Sequence, residues 1–206
     1  MTKHIIFDLD GTLINSFPVM EKAWNKVIKK FNLNIPFNEY KKFTGLPFDK
    51  IMEKFNLSKI TKEIKSFYFS ETKKRANQIT LINGAKKLIT ILKNKGYKIS
   101  IITSKPRKSF NSLKKLLPKN IDLILCSDDT NFEKPDKRLI NVYLKKCNVK
   151  INQLVFIGDT IFDYQFSVNS KINFIFFSNN GQNKLPKNLV NKIKSVDKLL
   201  EVRFLL

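Results

Sequence analysis

The sequence predicts an α/β protein in three layers, a parallel sheet with helices on both faces, interrupted after its first strand by an all-helical block. Three observations predict it. Ile5, Ile6 and Phe7 form a short run that is apolar on both faces, as a central strand of a parallel sheet must be. From Asn83-Gly84 to the end, helix-period and strand-period segments alternate, the pattern of strands joined by crossover helices. Between the two, residues 15 to 80 carry only helical spacing.

The elements come in order. Ser16 and Pro18 supply an N-cap and a first-turn proline, after which Phe17, Met20, Trp24, Val27, Ile28 and Phe31 recur at helical spacing. Asn34-Ile35-Pro36 breaks that helix. Short helices are expected over Asn38 to Phe43 and Phe48 to Phe55, separated by Thr44-Gly45-Leu46-Pro47. A longer helix is expected from Ser58 to Asn77 with Ile60, Ile64 and Phe67 on one face. Ala85, Leu88, Ile89 and Leu92 mark a helix closed by Gly96, and Tyr97 to Thr103 reads as a strand. Phe110, Leu113, Leu116 and Leu117 mark the next helix, Ile121 to Cys126 a strand and Asp136 to Cys147 a helix. Leu154 to Gly158 and Asn173 to Phe177 are the last strands, before a closing helix near Val196 to Arg203. The expected division is a Rossmann-like core of residues 1–14 and 81–206 around an inserted helical cap of residues 15–80, with chain crossings near Asn15 and near Ile82-Asn83.

A chain of 206 residues, 42% hydrophobic, is long enough to bury a sizeable core. It contains no apolar run of bilayer-spanning length and no basic-then-apolar leader, so a soluble, cytoplasmic protein without membrane association is expected. Cys126 and Cys147 lie in no CxxC pair or Cys/His cluster and read as small hydrophobes in a reducing compartment. With His4 the single histidine, His-centred hydrolysis and His-rich metal sites are set aside. The formal charge of +22 raises nucleic-acid binding as a reading. Against it, the lysines are scattered in pairs such as Lys29-Lys30 and Lys114-Lys115, and arginine occurs only at 75, 107, 138 and 203. Abundant Lys, Asn, Ile and Phe with few Gly and Ala is the composition an AT-rich genome produces. Such a surface attracts anionic small molecules.

In an open parallel sheet, ligands bind beyond the carboxyl ends of the strands. Those ends carry Asp8 and Asp10, then Thr103-Ser104-Lys105, the loop from Ser127 to Pro135 with Lys134, and Gly158-Asp159 with Asp163 four residues on. Asp8 and Asp10, two apart in an extended segment, point the same way, and Gly11 lets the chain turn at once. Four carboxylates in one cleft repel unless a cation sits among them, and hard oxygen donors favour magnesium. Each group also has a plainer reading: Asp-Gly is a common turn pair, and Asp159 with Asp163 suits a helix N-terminus.

The ordered set Asp8-Leu-Asp-Gly-Thr, Ile101-Ile102-Thr103-Ser104, Lys134-Pro135 and Gly158-Asp159 with Asp163 resembles the four motifs of the haloacid dehalogenase-like (HAD) superfamily. The branch it most resembles is the phosphoglycolate phosphatase-like one, with a helical cap between the first and second motifs. The resemblance implies a phosphoric monoester hydrolase acting on a small-molecule phosphate ester. It implies Asp8 as nucleophile, forming an aspartyl-phosphate, and Asp10 as the acid that protonates the leaving oxygen and then activates water. It implies Mg2+ held by Asp8, the Asp10 backbone carbonyl, Asp159 and Asp163, the last directly or through water. Thr103, Ser104 and Lys134 are the implied phosphate-binding groups. The loop at Thr44, Gly45 and Leu46 is the implied specificity loop of the cap. Asn15 stands where the family often has Asp, and Phe166, Val168, Asn169 and Ser170 stand where it has small residues. A beta-phosphoglucomutase-like phosphomutase is the nearer alternative, and a nucleic-acid-binding or regulatory protein on the same scaffold is the alternative from another class.

Overall fold

A computed structural model describes residues 3–206. Strand β1 (His4–Phe7) and the two-residue β2 (Ile14–Asn15) lead into helices α1 (Phe17–Phe31), α2 (Phe37–Lys41), α3 (Phe48–Lys54) and α4 (Thr61–Lys74). The chain continues through β3 (Thr80–Leu81), α5 (Ala85–Asn94), β4 (Lys98–Ile102), α6 (Arg107–Asn111), β5 (Leu123–Leu125) and α7 (Arg138–Cys147). It ends with β6 (Leu154–Gly158), α8 (Ile161–Asn169), β7 (Asn173–Phe177), α9 (Lys187–Val190), β8 (Ser195–Val196) and a 3-10 segment, Leu199–Phe204.

Among the described residues the main sheet has six strands in the order β5-β4-β1-β6-β7-β8, and every neighbouring pair is parallel. This is the α/β architecture that the alternation implies. Because successive strand residues face opposite ways, Ile5 and Phe7 join one apolar layer with Ile99, Ile101, Val155, Ile157 and α5. Ile6 joins the other, with Phe156, α7 residues Leu139, Ile140 and Tyr143, and Phe166 of α8. A polar pair lies inside this layer: buried Ser100 accepts a 2.9 Å bond from the Tyr143 hydroxyl, which lies 3.2 Å from His4 Nδ1. His4 thus belongs to the start of β1, at the end of the sheet away from the carboxylates.

The inserted segment has an interior of its own. Trp24, Tyr40, Phe48, Ile51, Met52, Ile64 and Tyr68 form an aromatic-rich buried cluster, with Trp24 stacked on Tyr40 at 4.2 Å between ring centres. The Trp24 indole N–H donates to the Ile35 carbonyl at 2.8 Å, so the largest side chain there has no stranded polar atom.

The structure corrects four expectations. The segment 15–80 is not wholly helical: Asn15 and Thr80 sit opposite each other in an antiparallel ribbon of β2 and β3 that ties its two chain crossings together. Ile60 is 36% exposed, because Ser58–Ile60 is a 3-10 turn whose tighter winding takes it off the face that buries Ile64 and Tyr68. The helix expected through Leu117 ends at Asn111, and turns carry Leu113 and Leu117 into the core. Phe177 does not end the sheet: Ser195 and Val196 add a parallel edge strand, and the closing segment Leu199–Phe204 is 3-10 rather than α-helical.

Candidate active site

The site is assembled where β1, β4 and β6, adjacent in the sheet, run out together. The Asp8 amide still donates to the Ile157 carbonyl of β6 at 2.8 Å and the Thr103 amide to the Leu125 carbonyl of β5 at 3.0 Å, so both residues are held as extensions of the ladder. Asp8, Asp159 and Asp163 each bring a carboxylate oxygen within 4.8 Å of the other two, and all three are buried. Lys134, from the loop before α7, is 3% exposed and places its ammonium 2.5 Å from Asp8 and 2.6 Å from Asp163. Its Nζ also lies 5.5 Å from the ring centre of Phe156, against which Phe166 packs edge-on, so the bulky residue of α8 braces the strand beneath the lysine.

Three carboxylates against one ammonium leave this buried cluster short of positive charge. Burial, only partly offset by the Lys134 charge, pushes the Asp8 carboxyl up to about 7. Burial together with the charges of Asp8 and Asp163 holds Asp159 well above the usual carboxylate range. Burial alone would depress Lys134, but the charges of Asp163 and Asp8 outweigh it and the lysine stands above its ordinary value. A divalent cation bound by oxygen donors would relieve the excess, and the donor set fits one with hard-ligand preference.

The carboxylates do not share one role. Both oxygens of Asp163 are already engaged: Oδ1 takes Lys134, while Oδ2 accepts from the Thr160 hydroxyl at 2.7 Å and from the amides of Thr160 and Asp159. The Thr160 hydroxyl in turn accepts from the Asp163 amide, closing a capping box at the start of α8. The N-cap reading of Asp163 is therefore realised in a side chain that also lies beside the carboxylates of Asp8 and Asp159. Asp159 is fixed by the Thr12 hydroxyl, 2.7 Å from its Oδ1. Backbone clearance around these groups is small: a Cβ on Gly11, at φ +85°, would strike the Asp159 carboxylate, and one on Gly158 would come within 2.5 Å of Asp163.

Asp10 stands apart from that triad. Its Oδ1 is buried without a hydrogen-bond partner, and its nearest countercharge is the Lys105 ammonium at 3.2 Å. Thr103 is 4% exposed, and its hydroxyl accepts the Lys105 amide at 3.1 Å, which shapes the turn after β4. The Ser104 hydroxyl, which the family resemblance assigns to the phosphate, donates to the Gly45 carbonyl of the inserted segment at 2.6 Å. Gly45, at φ +102°, packs so close to Thr160 that an added Cβ would lie 2.7 Å from its hydroxyl. Thr44 is buried and its hydroxyl caps the Lys41 carbonyl at 2.7 Å, while Leu46 faces the pocket shared with Asp8 and Asp10. That pocket is small, about 60 Å³.

Two contributors escape sequence reasoning. Thr12 is visible as the threonine of the Asp-Gly-Thr run, but nothing local says that it reaches a carboxylate 147 residues away. Lys105 is one lysine among many, and the one signal for it is its place directly after a strand-end Thr-Ser.

The sequence profile of a family described as haloacid dehalogenase-like hydrolase matches residues 5–177. A pyrophosphatase PpaX from Oceanobacillus iheyensis is 25% identical over 161 residues, covering 77% of this chain and 75% of the relative. A phosphorylated carbohydrates phosphatase from Thermotoga maritima is 24% identical over 163 residues, covering 76% of each. Among solved structures, a candidate phosphoglycolate phosphatase from Lactobacillus plantarum superimposes with a TM-score of 0.85 at 24% identity over 100% of both chains. CbbY from Rhodobacter sphaeroides, in complex with phosphate, gives 0.80 at 16% identity over 98% of this chain and 96% of that one. At these identities the structural likeness speaks for the fold.

Proposed function

The chain belongs to the haloacid dehalogenase-like hydrolase family, and from that premise we propose that it is a magnesium-dependent phosphatase of small phosphate monoesters working through an aspartyl-phosphate on Asp8. The observation that carries the reading is the buried Lys134 ammonium 2.5 Å from Asp8, in a cluster whose other members are carboxylates. A carboxylate can approach a phosphoryl dianion only where positive charge screens both. Lys134 supplies part of it. Asp8, Asp159 and the Asp10 backbone carbonyl would hold magnesium, which when bound neutralises the remaining carboxylate charge and polarises the phosphoryl oxygens. Asp163, with its oxygens taken by Lys134 and the capping box, orients the lysine and would add its charge to the cation's surroundings.

In the first step an Asp8 oxygen bonds to phosphorus as the bond to the leaving oxygen breaks, and Asp10 gives that oxygen its proton. In the second, Asp10 takes a proton from water, the water oxygen bonds to phosphorus, and the bond from phosphorus to the Asp8 oxygen breaks, freeing the carboxylate and phosphate. Asp10 is placed for the task because it lines the same pocket as Asp8, with its Oδ1 beside the Lys105 ammonium at 3.2 Å. The Thr103 and Lys134 side chains would hold the phosphoryl oxygens. Residues 15–80 act as a cap on the β2/β3 ribbon, with Thr44, Gly45 and Leu46 over the site.

A small-molecule ester fits better than a nucleic acid, since the carboxylates open into a pocket of about 60 Å³ roofed by Leu46. With no helix among the described residues long and apolar enough to cross a membrane, the fold offers no membrane-embedded substrate route of that kind.

The test is phosphate release across a panel of phosphate esters with magnesium, after chelation, and with Asp8→Asn. Turnover should vanish on chelation, return with magnesium, and fall by about 1,000-fold or more in the variant, whose amide is no nucleophile. Full turnover without a divalent cation, or near-normal rates in undeamidated Asp8→Asn, would overturn it. Isomer formation without phosphate release would point to the phosphomutase instead.

A further inference from the structure

We propose that Phe156 is a positioning residue for Lys134, its buried ring holding the ammonium in place while the charges around it change, an inference that rests on the phosphatase reading and adds a residue to its machinery. An ammonium has three N–H donors and no acceptor. In Lys134 one is engaged by Asp8 at 2.5 Å and one by Asp163 at 2.6 Å, which leaves one for a phosphoryl oxygen. A further polar side chain beside the ammonium would compete for that last donor. The Phe156 ring does not: with its centre 5.5 Å from Nζ, it attracts the charge as a whole through its face and accepts no conventional hydrogen bond.

The ring is itself held. Phe156 is the middle residue of β6, an inner strand of the sheet, and it is fully buried. Phe166 of α8 packs on it edge-on at 5.4 Å between ring centres, and Phe174, its register partner on β7, stacks on it at 6.5 Å. Lys134, by contrast, reaches the site from a loop on a four-carbon stem. The contact thus ties a long side chain to a rigid layer of the core. The reaction gives that tie its importance. Once Asp8 carries the phosphoryl group it is an ester and has lost the negative charge that draws Lys134 to it, whereas the attraction of the ring is the same before and after. Phe156 and Asp163 then keep the ammonium where the phosphoryl oxygens need it, and a small displacement of such a group is costly in rate.

The test is to replace Phe156 in the full chain by mono-, di- and trifluorinated phenylalanine, which drains the face of the ring stepwise and leaves its shape nearly unchanged. With magnesium and the best ester of the panel, kcat/KM should fall at every step, reaching about threefold to tenfold below wild type with three fluorines. The same series at Phe174, a ring of the same stack over which no cation lies among the described residues, should change kcat/KM by less than about twofold. A role in packing alone would move both series alike. The contact is read without turnover from melting in chelator: measured against the same Phe156 series in Lys134→Met, the melting temperature should drop by about 2–4 °C across the wild-type series. A flat kcat/KM series at Phe156, an equal fall at Phe174, or parallel melting series with and without the lysine would each overturn the assignment. Failure of the phosphatase reading would show separately, as wild-type protein that releases phosphate from no ester while the two melting series still diverge.

Discussion

The carboxyl end of the sheet and the helical segment that faces it are built on opposite terms. At the sheet end, Asp8, Asp159, Asp163 and Lys134, each at most 4% exposed, are held by bonds among three separate stretches of chain. Each charge there is tolerable only because another is within reach, so the positions are specified in combination. In the helical segment the interior is a stack of rings: Trp24 on Tyr40, Tyr40 tilted to Tyr68, Tyr68 to Phe48. Packing of that kind fixes volume rather than chemistry, and many apolar combinations satisfy it. Function should therefore be sensitive to a single atom at the sheet end and, in the helical segment, to how well it closes.

Lys134→Met should have the largest effect. It leaves three buried carboxylates with no buried countercharge, and should cost about 3–5 kcal/mol of stability along with turnover. Urea unfolding in chelator at pH 7.5 measures the first and phosphate release the second; a variant as stable as wild type would mean the cluster is not held by charge balance. The wild-type cluster itself should respond to pH. With Asp8 at about 7 when folded, above its unfolded value, the folded state keeps a proton that the unfolded state has released. Stability without a divalent cation should therefore fall as pH rises from about 4 through about 7, with Asp159, also held above its ordinary range, adding to the fall. The melting-temperature gain from magnesium should accordingly be larger at pH 8 than at pH 5. An equal gain at both would place the cation elsewhere.

In the helical segment, Trp24→Phe keeps a ring against Tyr40 but removes volume and the bond to the Ile35 carbonyl, a loss of about 2 kcal/mol. Well below the melting transition, kcat should change less than about twofold, since nothing at the sheet end depends on that ring. A large fall in kcat with the fold intact would erase the distinction between the two regions.

The same distinction explains what the sequence makes legible. The apolar runs of β1, β4 and β6 stop at Asp8, Thr103 and Asp159, and a polar residue ending an apolar strand is visible to pattern alone. The parallel sheet is likewise visible from the alternation. Thr12 and Lys105 act through distant partners and a turn geometry that no spacing records. Ile60 is misplaced because a 3-10 turn shifts the phase of the helix after it, and β8 is missed because two residues make no period. The ribbon joining Ile14 to Leu81 is invisible for the same reason, although it governs how the helical segment is tied to the core.

Ser104 lies on the boundary between the two regions, and it offers the smallest and most discriminating test. By its place in the sequence its hydroxyl belongs to the phosphate; in the structure it donates to Gly45 of the helical segment at 2.6 Å. The two roles differ in what Ser104→Ala does. A lost latch removes one part-buried hydrogen bond, about 1 kcal/mol, and shifts the closing equilibrium of the segment by about fivefold. KM should then rise a fewfold for every substrate, while kcat holds or increases if reopening limits turnover. A lost phosphate ligand would instead lower kcat, because a donor aimed at the transferring group is worth most in the transition state. Gly45→Ala supplies the matching change from the other side, pressing a methyl toward the Thr160 hydroxyl at a residue held at φ +102°. If the two variants raise KM together and spare kcat, Ser104 serves closure; if Ser104→Ala alone depresses kcat, the hydroxyl leaves Gly45 for the phosphate during the reaction, and the boundary between chemistry and packing runs on the other side of this residue.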